Sequence, residues 1–379
     1  MYIENAFKVS ADWWRYIVGI IIIFIFTQIG SIPFIIAIIS KAGLKATASL
    51  EESNMMTVLE DSNLTFFYFL LPFAFGLLGL CIVVKYLHRQ SFLSLTTSRS
   101  KVDISRLLTS FLCISLITFL NIAFSHLFSP EEYVFNFDFS PFIILFLIAI
   151  VFIPIQTSFE EYVFRGYLMQ GIANAARMKK TLYYFLITLF CIISFLIFIY
   201  NEFTTNETIN FLLNISLFLL YRYLIIKLFD YSSFSTRFIQ SDLYEILYKL
   251  LRRNSTPLFI TSFAFGLLHF WNPEVSKLGY LILVHYVATG LFLGIITLMD
   301  DGMELALGFH AGNNLLIALL VTADWTVFQT NSVLKYIAEP EVIYSTIISV
   351  LVIYPLLLIY FSKKYKWSNW REKLFGKIN

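Results

Sequence analysis

The chain has 379 residues, of which 58% are hydrophobic and 14% are charged, and its formal net charge at pH 7 is +2. This composition excludes a pair of soluble domains and predicts a polytopic membrane protein surrounded by the lipid bilayer. The small net charge, with no basic patch interleaved with aromatic residues, predicts no nucleic-acid partner. The three cysteines, Cys81, Cys113 and Cys191, lie in apolar runs, so neither a disulfide framework nor a cysteine metal site is predicted.

Apolar runs long enough to cross a bilayer recur along the chain. A helix of about 20 residues crosses the hydrocarbon core. On this measure the sequence predicts ten spans, at residues 16–39, 64–86, 107–128, 141–159, 181–200, 211–229, 257–271, 278–298, 305–323 and 343–361. The predicted fold class is all-α, a polytopic transmembrane helical bundle. About eight spans form its core, and the spans at 181–200 and 211–229 belong to an insertion.

Basic residues are distributed unevenly between the two sides of the predicted bundle. The N-terminus, every second loop and the C-terminal tail hold 22 of the 27 Lys and Arg residues, whereas the opposite loops hold four. Because cytosolic loops are enriched in Lys and Arg, both termini are predicted to be cytosolic and the loop at 201–210 to lie outside. Residues 238–253 combine helical apolar spacing with basic residues and are predicted to lie along the cytosolic surface.

The stretch from Ser158 to Arg165 places charge directly after an apolar run. Ionised groups in hydrocarbon are costly unless they are paired or hydrated, which makes Glu160, Glu161 and Arg165 candidate functional residues. On a helix Glu161 and Arg165 are i,i+4 neighbours that can pair, whereas Glu160 points in another direction. Pro154 is expected to kink the helix before the acids. Taken alone, the stretch is equally compatible with a helix end that carries a surface salt bridge.

Two later spans carry other polar groups. The first contains His269, and the second contains His310 and Asn314, which lie one helical turn apart on the same face. Each has a structural alternative, since an intramembrane histidine can bond a neighbouring carbonyl and an asparagine can link two helices. For His126 and His285 this structural interpretation is preferred.

Together these groups have the composition that peptide hydrolysis inside a membrane requires. A carboxylate can activate a water, a second group can share its proton, and neutral donors can stabilise the oxyanion. Alternatively, Glu160, His269 and His310 could hold a zinc ion and its water. The soluble metalloprotease motif H-E-x-x-H is absent from the sequence.

The polar residues form three ordered motifs. Glu160-Glu161-Tyr-Val-Phe-Arg165 matches E-E-x-x-x-R, Phe265-x-x-x-His269 matches F-x-x-x-H, and His310-x-x-x-Asn314 matches H-x-x-x-N. With this set the sequence resembles the CPBP intramembrane proteases. That group includes the type II CAAX prenyl endopeptidases and the bacterial Abi proteins linked to bacteriocin processing and self-immunity. The resemblance covers roughly 140–323, so the predicted regions are N-terminal spans at 1–139, a catalytic core at 140–323 with the insertion at about 181–256, and a last span with a basic tail at 324–379.

The resemblance implies a role for each motif residue. Glu160 would be the base that activates the water, and His269 would be its partner on the same water. Glu161 and Arg165 would be the supporting pair, and the two polar residues of the third motif would donate hydrogen bonds to the oxyanion. The family was first described as metalloproteases, but these residues are compatible with a glutamate-activated water. No obligatory metal is therefore expected, and zinc is the alternative.

The spacing of the first two motifs departs from the family's pattern. Between Glu160 and His269 lie 108 residues, where family members pass almost directly from one motif to the next span. Because the insertion adds an even number of spans, the span with His269 crosses the membrane in the same direction as it would without the insertion. For these groups to meet, the helix with the acids is expected to start later than Pro141 and to continue past Arg165, well below the cytosolic surface.

The predicted function is an integral membrane endopeptidase that acts on a peptide or protein substrate in a bacterial cell membrane. Since isolated polar groups in hydrocarbon are costly, the six motif residues are predicted to converge on one polar cavity, with Glu160, His269 and His310 within about 10 Å of one another. One alternative is a non-catalytic immunity or scaffold protein that keeps the fold. Another is a proton-coupled transporter that uses buried acids, although no inverted repeat is evident.

Overall fold

The structure is a computed structural model that describes residues 2–43, 58–59, 61–188, 207–231, 233–339 and 346–378, and it is a bundle of helices. The α-helices are α1 (Trp13–Ala42), α2 (Ser62–Ile82), α3 (Phe92–Thr96), α4 (Ile104–Phe128), α5 (Phe139–Glu161), α6 (Met169–Ala176), α7 (Glu207–Tyr231), α8 (Ser233–Ile239), α9 (Asp242–Leu251), α10 (Ser255–Leu268), α11 (Pro273–Leu278), α12 (Leu281–Asp300), α13 (Glu304–Leu320), α14 (Tyr354–Tyr365) and α15 (Trp370–Phe375). Residues 179–188 are also helical. The strands are β1 (Tyr133–Phe135), β2 (Val321–Thr322) and β3 (Leu334–Tyr336).

The predicted helical membrane bundle is confirmed. Within the described residues, six helices are long and apolar enough to cross a membrane: Trp13–Ala42, Ser62–Leu87, Ile104–Phe128, Phe139–Ala176, Leu281–Asp300 and Thr346–Tyr365. The shorter apolar helices α10 and α13 pack among them.

Two of the ten predicted spans correspond to helices shorter than these six. Helix α10 has 14 residues and α13 has 17, at or below the lower end of the usual length of a membrane-spanning helix. Helix α10 ends in a 3₁₀ turn at His269–Trp271, and α13 ends where strand β2 begins. The predicted span at 181–200 extends beyond the described residues, and that at 211–229 lies within α7, whose apolar stretch is Leu212–Tyr223.

Both ends of the chain pack at one end of the bundle, which we call the terminal end. The first residues form a 3₁₀ helix, Tyr2–Lys8, in which the backbone N–H of Tyr2 donates to the Asp301 carboxylate at 3.1 Å. From the tail, Lys373 Nζ donates to the Met299 carbonyl at 2.8 Å. The side chains of Ile3 and Ile378 are buried in one apolar cluster with the end of α12. The two chain ends therefore lie on the same side of the bundle.

A network of charged residues closes the terminal end. Arg99 pairs with Asp300 at 3.0 Å and with Glu304 at 3.1 Å, and Arg106 also binds Asp300. Because Asp300 and Glu304 are almost fully buried, these arginines compensate charges that would otherwise be costly to bury. The network fixes the turn between α12 and α13, and so the start of α13.

The small sheet lies at the other end of the bundle, which we call the sheet end. Its strand order is β1-β3-β2, with β1 antiparallel and β2 parallel to β3. Two exposed ion pairs, Lys277 with Glu339 and Lys335 with Asp324, each at 2.8 Å, flank it. Since β2 continues directly from α13, the sheet fixes the far end of that helix.

Helix α9 lies at the terminal end and is amphipathic, as predicted for residues 238–253. Its Tyr244 and Tyr248 are buried, and their hydroxyls donate to the carbonyls of Lys179 and Arg177, each at 2.6 Å. Its opposite face exposes Leu243, Ile246 and Leu250. The two tyrosines therefore attach this part of the insertion to the segment that follows α6.

Helices α4 and α13 cross closely, at a point where two glycines stand one turn apart. A Cβ atom on Gly308 would lie 2.1 Å from the Leu107 carbonyl oxygen, and one on Gly312 would lie 2.7 Å from the Phe111 carbonyl oxygen. Small residues allow helix backbones to approach this closely. The glycines therefore set the position of α13.

Gly308→Ala is expected to destabilise the protein by about 1–3 kcal/mol, the usual range for overpacking, because the new methyl group would meet the backbone of α4. Unfolding of the purified variant in detergent measures this change. The matched control is Ile317→Ala, at a 38% exposed position of the same helix, which should change stability by less than about 0.5 kcal/mol. Equal stability of Gly308→Ala and the wild type would contradict the role assigned to the crossing.

Candidate active site

The helix that carries the acids is long and continuous. It runs from Phe139 to Ala176, so the expectation that it continues past Arg165 is confirmed, whereas the later start after Pro141 is wrong. Pro154 lies inside α5 without ending it. The irregular part is a π-helical turn, Tyr162–Leu168, which begins directly after Glu161. Such wide turns interrupt helices at functional sites more often than elsewhere.

Glu161 and Arg165 form the predicted ion pair. Arg165 Nη1 donates to Glu161 Oε1 at 3.0 Å, and both side chains are fully buried. Arg165 also donates to the Gly290 carbonyl at 3.3 Å, and its guanidinium lies 4.3 Å from the centre of the Phe265 ring. The pair is thus enclosed by α10 and α12, where each charge depends on the other.

His310 lies between the two carboxylates. Its Nδ1 is 2.8 Å from Glu161 Oε1 and its Nε2 is 3.6 Å from Glu160 Oε2, and the residue is buried. A proton on Nδ1 donates to Glu161, which orients the ring and turns Nε2 towards Glu160. The imidazole therefore connects the buried pair to the second carboxylate.

Glu160 differs from Glu161 in its surroundings. Its Oε1 accepts a hydrogen bond from Gln156 Nε2 at 2.5 Å, and its buried Oε2, like that of Glu161, has no hydrogen-bond partner among the described residues. The Glu160 side chain is 15% exposed and that of Glu161 is 0% exposed. Of the two acids, Glu160 is thus the one that a small molecule can reach.

His269 stands at the end of α10, beside this cluster. Its Nδ1 lies 2.8 Å from the Phe265 carbonyl, and because a carbonyl only accepts, Nδ1 carries the proton and Nε2 is the free acceptor. The ring stacks on Tyr286 with centres 4.2 Å apart. The Phe265 ring lies 4.8 Å from that of His269 and 6.0 Å from that of His310. The structure therefore brings His269 near the acids, with Phe265 between the two histidines.

Asn314 reaches Glu160 only through another residue. Its Nδ2 donates to Gln156 Oε1 at 3.4 Å, and Gln156 in turn donates to Glu160. Sequence reasoning missed Gln156. The available signal was its position in an apolar run, one helical turn before Glu160 on the same face.

Within the described residues, the three other histidines make no hydrogen bond to the cluster. His126 packs its ring against Tyr133 near the sheet end. His285 is near Tyr286 and Tyr354, and His88 bonds the Tyr167 hydroxyl at the terminal end. Their contacts are those of packed or bonded structural residues.

The arrangement does not fit the zinc site considered from the sequence. Zinc binds nitrogen and carboxylate oxygen at about 2.0–2.2 Å, with three or four protein ligands around it. Within the described residues, no group of three or more His, Cys, Asp or Glu side chains could hold a metal ion. No step is therefore derived through a metal.

The comparison with known families concerns the second half of this site. Residues 238–316 match the family described as Type II CAAX prenyl endopeptidase Rce1-like. This match confirms the family resemblance. The Rce1-like segment contains the second and third motifs, and it begins at Phe238, inside the region predicted as an insertion. The Glu160–Arg165 motif precedes it in sequence and meets it in space through His310 and Phe265.

One relative aligns with most of the chain. The protein described as "Uncharacterized protein YyaK", from Bacillus subtilis (strain 168), is 22% identical over 321 residues, which are 83% of this chain and 80% of the relative. No solved structure matches the chain. The findings together describe a multi-pass membrane protein with an Rce1-like segment.

Proposed function

We propose that this chain is an integral membrane endopeptidase in which Glu160 activates a water for attack on a peptide carbonyl. The proposal is supported by the Rce1-like segment and by the difference between the two acids. Glu161 is fully buried and bound to Arg165 and His310, whereas Glu160 is hydrogen-bonded to the neutral Gln156 amide and is partly exposed. That difference in exposure and in charged partners between neighbouring carboxylates is the observation that carries the proposal, because a base must be reached by the substrate water and must not already be paired with a cation.

The chemistry follows from these positions. Glu160 Oε2 accepts a proton from the water as its oxygen bonds to the carbonyl carbon. The carbon–nitrogen bond then breaks, and the proton held by Glu160 passes to the leaving amine. Buried Arg165 compensates the charge of Glu161, and Glu161 orients His310 through Nδ1. We assign Asn314 to stabilisation of the oxyanion, with His310 in the same role when its Nε2 also carries a proton, and His269 Nε2 to the orientation of the water.

The test is peptide cleavage by purified protein in lipid nanodiscs. A mixture of peptides, each prepared with and without a prenylated C-terminal cysteine, would be incubated with the wild type, and new termini would be identified by mass spectrometry. We expect the wild type to cleave at least one peptide, and we expect this cleavage to persist after stringent chelation. Unchanged peptides would overturn the proposal and favour the non-catalytic scaffold, whereas activity that disappears on chelation and returns with zinc would overturn the metal-free step.

We also propose that the terminal end faces the cytosol. It gathers the basic segments near Arg99, Arg177, Arg252 and Lys373, as expected for the cytosolic side. In a cysteine-free background, Ser100→Cys at this end should resist membrane-impermeant reagent in intact cells. Glu131→Cys, at an exposed position just before β1, should be labelled. The reverse pattern would invert the orientation.

A further inference from the structure

A chain of four hydrogen bonds runs from helix α4 to the proposed base. Thr118 Oγ1 donates to Asn313 Oδ1 at 3.3 Å, and Asn313 Nδ2 donates to Asn314 Oδ1 at 3.2 Å. Asn314 Nδ2 donates to Gln156 Oε1 at 3.4 Å, and Gln156 Nε2 donates to Glu160 Oε1 at 2.5 Å. Every donor points towards Glu160. The chain connects α4, α13 and α5 and ends on the carboxylate.

We propose that Gln156 is the positioning residue of Glu160 and that the other three side chains hold its amide in the donating orientation. This inference rests on the proposed function, in which Glu160 is the base. It assigns Asn314 a second task, because one N–H of that amide is directed at Gln156 instead of at the substrate.

The direction of the chain follows from donor chemistry. An ionised carboxylate only accepts, so the Gln156 group nearest Glu160 must be its NH₂. The Gln156 oxygen then points the other way and requires a donor, which Asn314 supplies. Asn314 can present its NH₂ only if its own oxygen accepts elsewhere, and Asn313 provides that donor. Each amide thus fixes the orientation of the next.

Burial makes the orientation stable. Gln156 is 4% exposed and directly follows the apolar run of α5, and a buried amide without partners would be costly. Solvent does not compete for its two bonds, and aligned hydrogen bonds in such surroundings strengthen one another.

The consequence is a fixed rotation of the Glu160 carboxyl group. With Oε1 held by Gln156, which lies one turn earlier on the same helix, Oε2 is left facing His310 Nε2. That free oxygen is the one assigned to the water. Since Gln156 bonds Oε1 and not the oxygen assigned to the water, its contribution is to hold the base in line for attack.

Gln156→Met tests this role by removing the donor at nearly constant volume. We expect kcat to fall about 10–100-fold, since misplacement of a reacting group by about 1 Å can cost 10²-fold, while KM changes less than about twofold. Gln156→Asn keeps the amide but is too short to reach Glu160, so its kcat should fall by a similar factor. This variant replaces Gln156→Met in the test if Gln156→Met does not fold. The matched control is Gln170→Met, because Gln170 is a buried glutamine of the same continuous helix whose amide bonds Gln90 outside the site. It should lose stability and keep kcat.

A double-mutant cycle tests the rest of the chain. If Asn314 acts partly through Gln156, the two substitutions should not be independent. The loss in log kcat for Gln156→Met combined with Asn314→Ala should then be smaller than the sum of the two single losses in log kcat. Thr118→Val, at the far end, should lower kcat by only a few fold. Additive losses in log kcat, or a kcat for Gln156→Met within twofold of the wild type, would overturn the inference. If Glu160→Gln is inactive in the same assay, the proposed function still stands. A wild type that cleaves no peptide would instead remove the proposed function itself.

Discussion

Glu160→Gln should abolish peptide cleavage, with a loss of at least about 10²-fold, the lower range for removal of a general base. The substitution keeps the size of the side chain but removes the lone pair that accepts the proton from the water. The measurement is the initial rate of cleavage of one identified peptide by wild-type and variant protein in nanodiscs, at equal amounts of folded protein.

Peptide binding should survive this substitution, because the base acts on the water and not on the substrate. Fluorescence anisotropy with a labelled peptide measures that affinity. The control is Glu131→Gln, which removes an exposed carboxylate next to the sheet end and should leave the rate unchanged. Cleavage by Glu160→Gln within tenfold of the wild type would assign the proton transfer to another group.

Glu161→Gln should damage the protein by a different route. The substitution leaves the Arg165 charge fully buried without its carboxylate partner, and breaking a buried pair in this way typically costs about 3–5 kcal/mol. His310 would also lose the carboxylate that orients its Nδ1. We expect a large loss of resistance to chemical unfolding, together with loss of activity.

The double variant Glu161→Gln with Arg165→Met separates stability from chemistry. Removing both charges eliminates the unpaired buried ion, so stability should return in part while activity stays lost. The control is Lys249→Met, which breaks an exposed pair with Glu245 at 3.4 Å and should have a small effect, as surface pairs do. Wild-type stability of Glu161→Gln would show that the pair does not hold the site together.

Local spacing made part of the site predictable. An i,i+4 relation on any helix brings Glu161 to Arg165, and the same rule places Asn314 one turn from His310. The membrane bundle followed from composition, because long apolar runs have few other stable forms. These inferences needed only the geometry of a single helix and the cost of charge in hydrocarbon.

Other features depend on contacts between helices and could not be read from spacing. The position of Phe265 between His269 and His310 results from where α10 ends relative to α13. The π-helical turn after Glu161 has no sequence signal of the kind that proline gives. Gln156 was visible as a polar residue, but its role emerges only when Asn314 from another helix meets it. The shortness of α10 and α13 likewise reflects turns and a strand at their ends.

The segments on either side of the bundle are tied together by contacts that are very distant in sequence. Tyr2 precedes α1 yet bonds Asp301, and Ile3 shares a buried cluster with Ile378. Such contacts enclose long loops, and closing a long loop costs chain entropy and slows folding. The terminal end therefore couples the segments before α1 and after α14 to the turn between α12 and α13. Because α13 begins at this turn and carries His310 to the acids, residues far from the site in sequence help to set its geometry.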